Sequence, residues 1–214
     1  MSLQSALHQT KQAFLANTPA DVHRELFRSI REQEQSGVSF GLEEGAKAKD
    51  FTLHDALGAP VNLNEQLAQG PVVLTFYRGG WCPFCSTQLR AYQKALPEIE
   101  ALGAKLIAVS PQSPDNTLSQ QEKEGLRFRV LSDTHGLVAA KYNLLYEVPD
   151  YIQSIMSQQF GMSLAEYNAT TRWILPVPAT FMIDETGIVR SRYVNPDFMS
   201  RPDPLEILSE LRKL

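Results

Sequence analysis

The stretch PVVLTFYRGGWCPFCSTQLRAY, residues 71–92, indicates the fold that we expect for this chain. Residues 71–77 form a near-continuous apolar run with β-branched side chains, as is typical of a strand buried in the centre of a sheet. Residues 83–102 have the apolar spacing of a helix. Both cysteines of the chain, Cys82 and Cys85, therefore lie just after a buried strand, in the first turn of the helix that follows it.

Strand and helix signals alternate along the rest of the chain from Lys49 onward. The pattern predicts a hairpin turning at 56–60, further strands at 104–110, 128–133, 179–184 and 188–194, and helices at 115–124, 135–142 and from Pro204. Pro97 is expected to kink or divide the helix over 83–102. Alternating strands and helices predict an α/β layered sheet.

The first 36 residues predict a pair of helices. Apolar residues recur on one face of each helix at Leu3, Leu7 and Phe14, and at Val22, Leu26 and Ile30. Thr18 is expected to cap the second helix, and Gly37 to end it. We therefore divide the chain into an N-terminal helical arm and linker, residues 1–45, and a main domain, residues 46–214, with an insertion at about 146–175. The arm either packs against the domain or forms a dimer contact.

Composition and charge exclude several classes of partner. The 214 residues carry a formal net charge of −4, so we expect no binding to nucleic acid or to anionic membranes. No apolar run approaches the roughly 20 residues that cross a bilayer, and the first residues lack the layout of a secretory signal. We expect a cytoplasmic protein, in a compartment where thiols are kept reduced and a close cysteine pair is more often catalytic than structural.

The position of the two cysteines favours redox chemistry. Unpaired backbone N–H groups and the positive end of the helix dipole stabilise a thiolate at a helix N-terminus. Pro83 is well tolerated there, because its missing N–H would have no helical partner. Positions i and i+3 bring Cys82 and Cys85 close enough for a disulfide. Two cysteines and four scattered histidines do not make a four-ligand zinc site, so we expect no metal and no cofactor. Two inert buried thiols are a further alternative.

The motif WCPFC after an apolar strand, with VPATFMID far downstream, resembles the thioredoxin superfamily. More closely, DFTL, PVVLTFYRGGWCPFCSTQLRAY, LIAVSPQS, VLSD and ATFMIDETGIVR together resemble the peroxiredoxin-like (AhpC/TSA) family over about residues 48–195. The resemblance implies a thioredoxin-like fold, with a central mixed β-sheet flanked by helices, here with an N-terminal helical extension.

The resemblance implies two different assignments of the cysteines. In the peroxiredoxin pattern Pro-x-x-x-Thr-x-x-Cys, Cys85 is the attacking residue, Cys82 replaces the threonine and Arg78 replaces the proline. Peroxiredoxins also place an arginine from a later strand beside the attacking sulfur, and Pro178 stands at that position. In thioredoxins and glutaredoxins the first cysteine attacks, which makes Cys82 the nucleophile and Cys85 the resolving residue, and the downstream proline, here Pro178, is cis.

Pro178 is one of five candidates for supporting roles, and it is either the active-site proline described above or an ordinary strand-edge proline. Arg78 either supplies a cation beside the thiolate, in place of the missing arginine, or is an ordinary surface arginine. Trp81 either shields the thiol from water, as the matching residue does in thioredoxins, or simply packs. Pro83 starts the helix, and Thr180 either contacts the site or is an ordinary strand residue.

Three functions are compatible with these residues and motifs. The first is a peroxidase that reduces hydroperoxides through a Cys82–Cys85 dithiol/disulfide cycle, recharged by thioredoxin or by glutathione and glutaredoxin. The second is a thiol–disulfide oxidoreductase that acts on protein or small-molecule disulfides. The third is a redox sensor that uses the disulfide as a conformational switch, with the arm and the insertion as the surfaces it controls.

Overall fold

The central sheet confirms the predicted α/β architecture. The computed structural model describes residues 2–214, and its strands are β1 Thr52–Asp55, β2 Pro60–Asn62, β3 Val72–Phe76, β4 Lys105–Ser110, β5 Arg129–Ser132, β6 Leu145–Glu147, β7 Ile174–Pro176, β8 Ala179–Ile183 and β9 Val189–Val194. Seven of these strands form a mixed sheet in the order β2-β1-β5-β4-β3-β8-β9. Strand β3 pairs with β4 in parallel and with β8 antiparallel, so the strand before the cysteines lies inside the sheet, as predicted.

Helices cover both faces of this sheet. They are α1 Leu3–Asn17, α2 Ala20–Gln35, α3 Leu63–Leu67, α4 Pro83–Ala101, α5 Pro114–Glu124, α6 Leu137–Lys141, α7 Asp150–Gln159, α8 Leu164–Tyr167 and α9 Pro204–Leu211. Successive side chains of β3 point to opposite faces, so Val73 packs with α4 and α9, and Leu74 with the core on the other face. None of the helices described for residues 2–214 combines the length and hydropathy that crossing a bilayer requires.

Two local predictions need correction. Helix α4 continues through Pro97 to Ala101, so the proline does not divide it. Leu96 and Ile99, on either side of the proline, are buried against the sheet and hold the helix in place. Pro19 rather than Thr18 occupies the N-cap position of α2, because Thr18 follows the last residue of α1 in extended conformation.

The N-terminal arm packs against its own chain. Leu3 and Leu7 of α1 are buried in the same apolar cluster as α4, and the hydroxyls of Thr10 and Thr87 lie 3.2 Å apart across this contact. The predicted buried face of α2 is confirmed, and its residues Val22 and Leu26 pack with α7. The arm is thereby fixed over one end of α4.

Residues 146–175, predicted as an insertion, contain α7 and α8. They connect β6 to β7, which pair antiparallel in a separate two-stranded sheet. Ile152, Met156 and Leu164 from this segment form one apolar cluster with α2. The arm and this segment therefore pack on each other, and the arm also packs on α4.

Replacing Leu7 by alanine tests whether the docked arm stabilises the domain. Leu7→Ala removes a side chain that is 5% exposed and should lower the free energy of unfolding by about 2 to 3 kcal/mol, measured by urea denaturation. The matched control, Leu57→Ala, changes a leucine that is 82% exposed and should have little effect. Equal stability of the two variants would contradict the docked position of α1.

Candidate active site

The two cysteines lie where a buried strand gives way to a helix. Strand β3 ends at Phe76, a five-residue loop follows, and Cys82 is the N-cap residue of α4. Pro83 is the first residue of the helix, as predicted, and Cys85 lies in its first turn. Both sulfurs therefore experience the positive end of the helix dipole. Both cysteines are free and fully buried, at 1% and 0% exposure.

Two glycines shape the loop before the cysteines. Gly79 has a φ of +142°, and a Cβ atom there would lie 2.5 Å from Nε1 of Trp81. A Cβ atom on Gly80 would lie 2.9 Å from the side chain of Gln120. The Gly80 N–H donates to Oε1 of Gln112 at 2.8 Å. Side chains larger than hydrogen at either position would displace the loop that sets the position of Cys82.

A buried network of polar side chains, Tyr77, Gln112 and Gln120, contacts the loop before Cys82. The Tyr77 hydroxyl donates to Oε1 of Gln120 at 2.8 Å, and Nε2 of Gln112 donates to the same oxygen at 2.9 Å. Gln112 also bonds to the Tyr77 hydroxyl, at 3.1 Å. Because buried polar groups are costly to leave unpaired, these bonds favour one loop conformation.

Arg201 is the cation that contacts Cys85. It lies in the segment between β9 and α9, is 2% exposed, and donates from Nη2 to the Cys85 sulfur at 3.4 Å. Its Nε donates to Oε1 of Gln88 at 2.7 Å, and its Nη1 to the carbonyl oxygen of Ser200 at 2.6 Å. The guanidinium therefore has three hydrogen-bond partners, and one of them is the Cys85 sulfur.

Gln88 connects this arginine to the sheet. Its Nε2 donates to the Tyr92 hydroxyl at 3.0 Å, and the Thr180 hydroxyl lies 3.3 Å from Tyr92 and 3.0 Å from Thr75. Thr180, a candidate for contact with the site, therefore bonds within this network and is connected to Cys85 through Gln88 and Arg201.

Arg78 forms the second positive charge near the sulfurs. Its guanidinium carbon lies 4.8 Å from the centre of the Trp81 ring and 4.2 Å from that of Phe198, so it stacks between two aromatic side chains. Arg78 is 5% exposed, and its Nε has no hydrogen-bond partner within residues 2–214. Trp81, half-buried, covers Arg78 beside Cys82.

The surroundings separate the pKa values of the two thiols. Burial raises the pKa of Cys82, and the adjacent Cys85 sulfur raises it further. Burial also acts to raise the pKa of Cys85, but the hydrogen bond from Cys82 and the charges of Arg201 and Arg78 outweigh it and lower the pKa to about 5. At neutral pH, Cys85 is therefore the thiolate and Cys82 its hydrogen-bond donor.

An apolar cavity of about 300 Å³ opens beside this pair. Cys82, Pro83 and Arg78 form part of its wall, whereas the residues that line it do not include Cys85. The rest of the wall is mainly aromatic and sulfur-containing side chains from the arm and from the α7–α8 segment. Cys82 is therefore the sulfur nearer the cavity, and Cys85 lies behind it.

Comparison with known proteins gives the family. The family model described as AhpC/TSA matches residues 45–192. The chain belongs to the AhpC/TSA family. This confirms the resemblance that the motifs around the cysteines indicated, and with it the thioredoxin-like fold.

Individual peroxiredoxins are similar to this chain at low sequence identity. Chloroplastic peroxiredoxin Q from Sedum lineare is 26% identical over 72% of this chain and 70% of its own length. Peroxiredoxin 2 from Thermoplasma acidophilum is 27% identical over 67% of this chain and 68% of its own length. Among solved structures, peroxidoxin BcpB from Mycobacterium tuberculosis superposes with a TM-score of 0.64 at 22% identity, covering 81% of this chain and 98% of that protein.

Pro178 is not the cis-proline that the comparison with thioredoxins and glutaredoxins predicts. The Val177–Pro178 peptide bond is trans, so the expectation of a cis-proline is wrong. The carbonyl of Pro178 accepts a backbone hydrogen bond from Asn195 at 3.2 Å, which continues the pairing of the last two strands. Arg201, which follows the end of the family match, places a cation beside Cys85 although it is 116 residues away in sequence.

Arg201→Met tests the electrostatic role of this arginine. The thiolate of Cys85 forms as pH rises through its pKa, so losing the cation should move the midpoint of its alkylation by iodoacetamide upward by roughly 1 to 3 pH units. The control, Arg90→Met, removes an arginine that lies on the same helix as Cys85 but pairs with Glu124. An unchanged midpoint in Arg201→Met would contradict the role of Arg201.

Proposed function

We propose that this AhpC/TSA protein is a thiol-dependent peroxidase in which Cys85 attacks the hydroperoxide and Cys82 resolves the product. The observation that carries the proposal is the contact between Arg201 and the Cys85 sulfur, because a buried cation there keeps the sulfur ionised at neutral pH. The family assignment and the peroxiredoxin relatives support the same reaction class.

The first step forms one bond and breaks one. The Cys85 thiolate attacks the terminal oxygen of the hydroperoxide, a sulfur–oxygen bond forms, and the oxygen–oxygen bond breaks. The leaving oxygen takes a proton and departs as water or an alcohol, and Cys85 becomes a sulfenic acid, oxidised by two electrons. Arg201 and Arg78 both lie close enough to stabilise the negative charge that moves onto the leaving oxygen.

The second step uses the neighbouring cysteine. The Cys82 thiol condenses with the sulfenic acid, which forms the Cys82–Cys85 disulfide and releases water. Cys82 is the N-cap residue of α4 and Cys85 lies three residues further on in its first turn, so the disulfide requires little movement of the backbone. An external thiol supplies the two electrons that restore the dithiol.

Several finer assignments stay predictions. They are thioredoxin or glutathione with glutaredoxin as the electron donor, a cytoplasmic location, and self-association of the chain as a homodimer. The peroxidase chemistry of the cysteine pair requires a thiol reductant of some kind and depends on none of these choices.

Thiol–disulfide exchange through Cys82 is the second candidate function. The observation that favours it is the position of Cys82 on the cavity wall, in front of Cys85. The raised pKa of Cys82 argues against it, because a protonated thiol is a weak nucleophile towards a partner's disulfide.

Serine variants of the two cysteines distinguish the candidates. We expect the reduced protein to react with hydrogen peroxide roughly a hundredfold or more faster than a free thiol of the same pKa, measured by stopped-flow fluorescence. Cys85→Ser should abolish this reaction. Cys82→Ser should retain it and accumulate a sulfenic acid at Cys85, detected by dimedone labelling and mass spectrometry.

The opposite pattern would support disulfide exchange. In that case Cys85→Ser would accumulate mixed disulfides through Cys82, and the reaction with peroxide would be no faster than that of the free thiol. Either result would overturn the assignment of Cys85 as the attacking residue.

A further inference from the structure

The cavity beside Cys82 is built largely by parts of the chain that the family match does not reach or that lie far from the cysteines in sequence. Phe14 of α1 and Leu26 of α2 form one wall, and both precede residue 45, where the family match begins. Met156, Phe160 and Met162 from the α7–α8 segment form another part of the wall. The arm and this segment thus help to enclose a space of about 300 Å³ beside Cys82.

The polar character of this cavity is concentrated at one end. Arg78 is the charged residue of the lining, and it lies at the same end as Cys82. Its guanidinium is clamped between Trp81 and Phe198, and its Nε has no hydrogen-bond partner within the described part of the chain. A ligand that fits this arrangement has a small polar head and a bulky apolar body.

We propose that this cavity makes the protein selective for hydroperoxides that carry a bulky apolar substituent, aromatic or branched alkyl, with Met156 and Met162 as specificity-determining residues. The inference rests on the peroxidase function proposed above. The hydroperoxide group lies at the Arg78 end, and the substituent lies between Phe14 and the two methionines. Arg78 and Cys82 both line the cavity, and Cys85 lies three residues from Cys82 in the first turn of α4, so a head group held at Arg78 is next to Cys82 and reaches the Cys85 sulfur past that side chain.

The size and the chemistry of the walls favour this substrate over hydrogen peroxide. A volume of about 300 Å³ is that of a small-molecule site and far exceeds what two oxygen atoms fill. Apolar walls offer hydrogen peroxide few hydrogen-bond partners, whereas an apolar substituent gains by leaving water. Unbranched methionine side chains adapt to the shape of such a substituent.

The test compares two oxidants on the same protein. We would measure kcat/KM for cumene hydroperoxide and for hydrogen peroxide and take their ratio, first for the unaltered chain and then for Met162→Trp, which fills the cavity from a half-buried position. The ratio should favour cumene hydroperoxide and should fall about tenfold or more in Met162→Trp. Leu57→Trp is the matched control, because it adds the same side chain at a position 82% exposed in the β1–β2 turn.

A second variant keeps the test decisive if Met162→Trp does not fold. Phe160 is 45% exposed at the cavity wall, so Phe160→Ser should fold and should lower the ratio in the same direction by removing apolar wall. Rapid reaction with hydrogen peroxide, together with a ratio that neither variant changes, would overturn the specificity and leave the peroxidase function standing. If neither oxidant reacts faster than it does with a free thiol, the peroxidase function itself fails, and the specificity with it.

Discussion

The hydrogen bond from Arg201 to the Cys85 sulfur is the contact that makes the chemistry of the site possible. A fully buried thiol is normally protonated, because burial penalises its charged form. A guanidinium in contact with the sulfur, with Arg78 close by, reverses this preference. Arg201 can do so only because Gln88 and the Ser200 carbonyl fix it in place, and Gln88 is in turn bonded to Tyr92. The ionisation of one sulfur thus rests on a chain of contacts that reaches the central sheet.

Burial has a second consequence, which concerns how the two cysteines divide their roles. In a site with little water, charges act strongly on each other, so two thiolates three residues apart cannot both form readily. Both arginines favour the ionised form of either sulfur, but burial and the adjacent Cys85 sulfur outweigh them at Cys82 and raise its pKa, whereas at Cys85, which Arg201 contacts, the pKa is lowered. In the reaction that we propose, Cys82 is well placed for the resolving step because it lies three residues from Cys85 at the start of α4.

The arm and the α7–α8 segment give the site its enclosure. The AhpC/TSA match accounts for the sheet, the cysteine loop and the helix that follows, whereas Phe14 and Leu26 lie outside it. These two residues pack with the 150–162 region through apolar contacts that also hold the arm on the domain. Stability and access to the cysteines are therefore coupled in this chain, because Phe14 and Leu26 both help to dock the arm and line the cavity.

The strand, the cysteine pair and the helix start could be predicted from the sequence alone, because each depends on neighbours within a few residues. The local signals are the apolar run, Pro83 at the first helical position and the i, i+3 spacing. They predict a buried strand followed by a helix, with the two cysteines close together. Arg201 carries no such signal: it stands between Ser200 and Pro202, 116 residues from Cys85, and only the return of the chain after β9 brings it to the sulfur. That long-range contact decides which cysteine is ionised, since electrostatic effects depend on distance in space and not on separation in sequence. It also places a cation at the sulfur although position 178 is a proline.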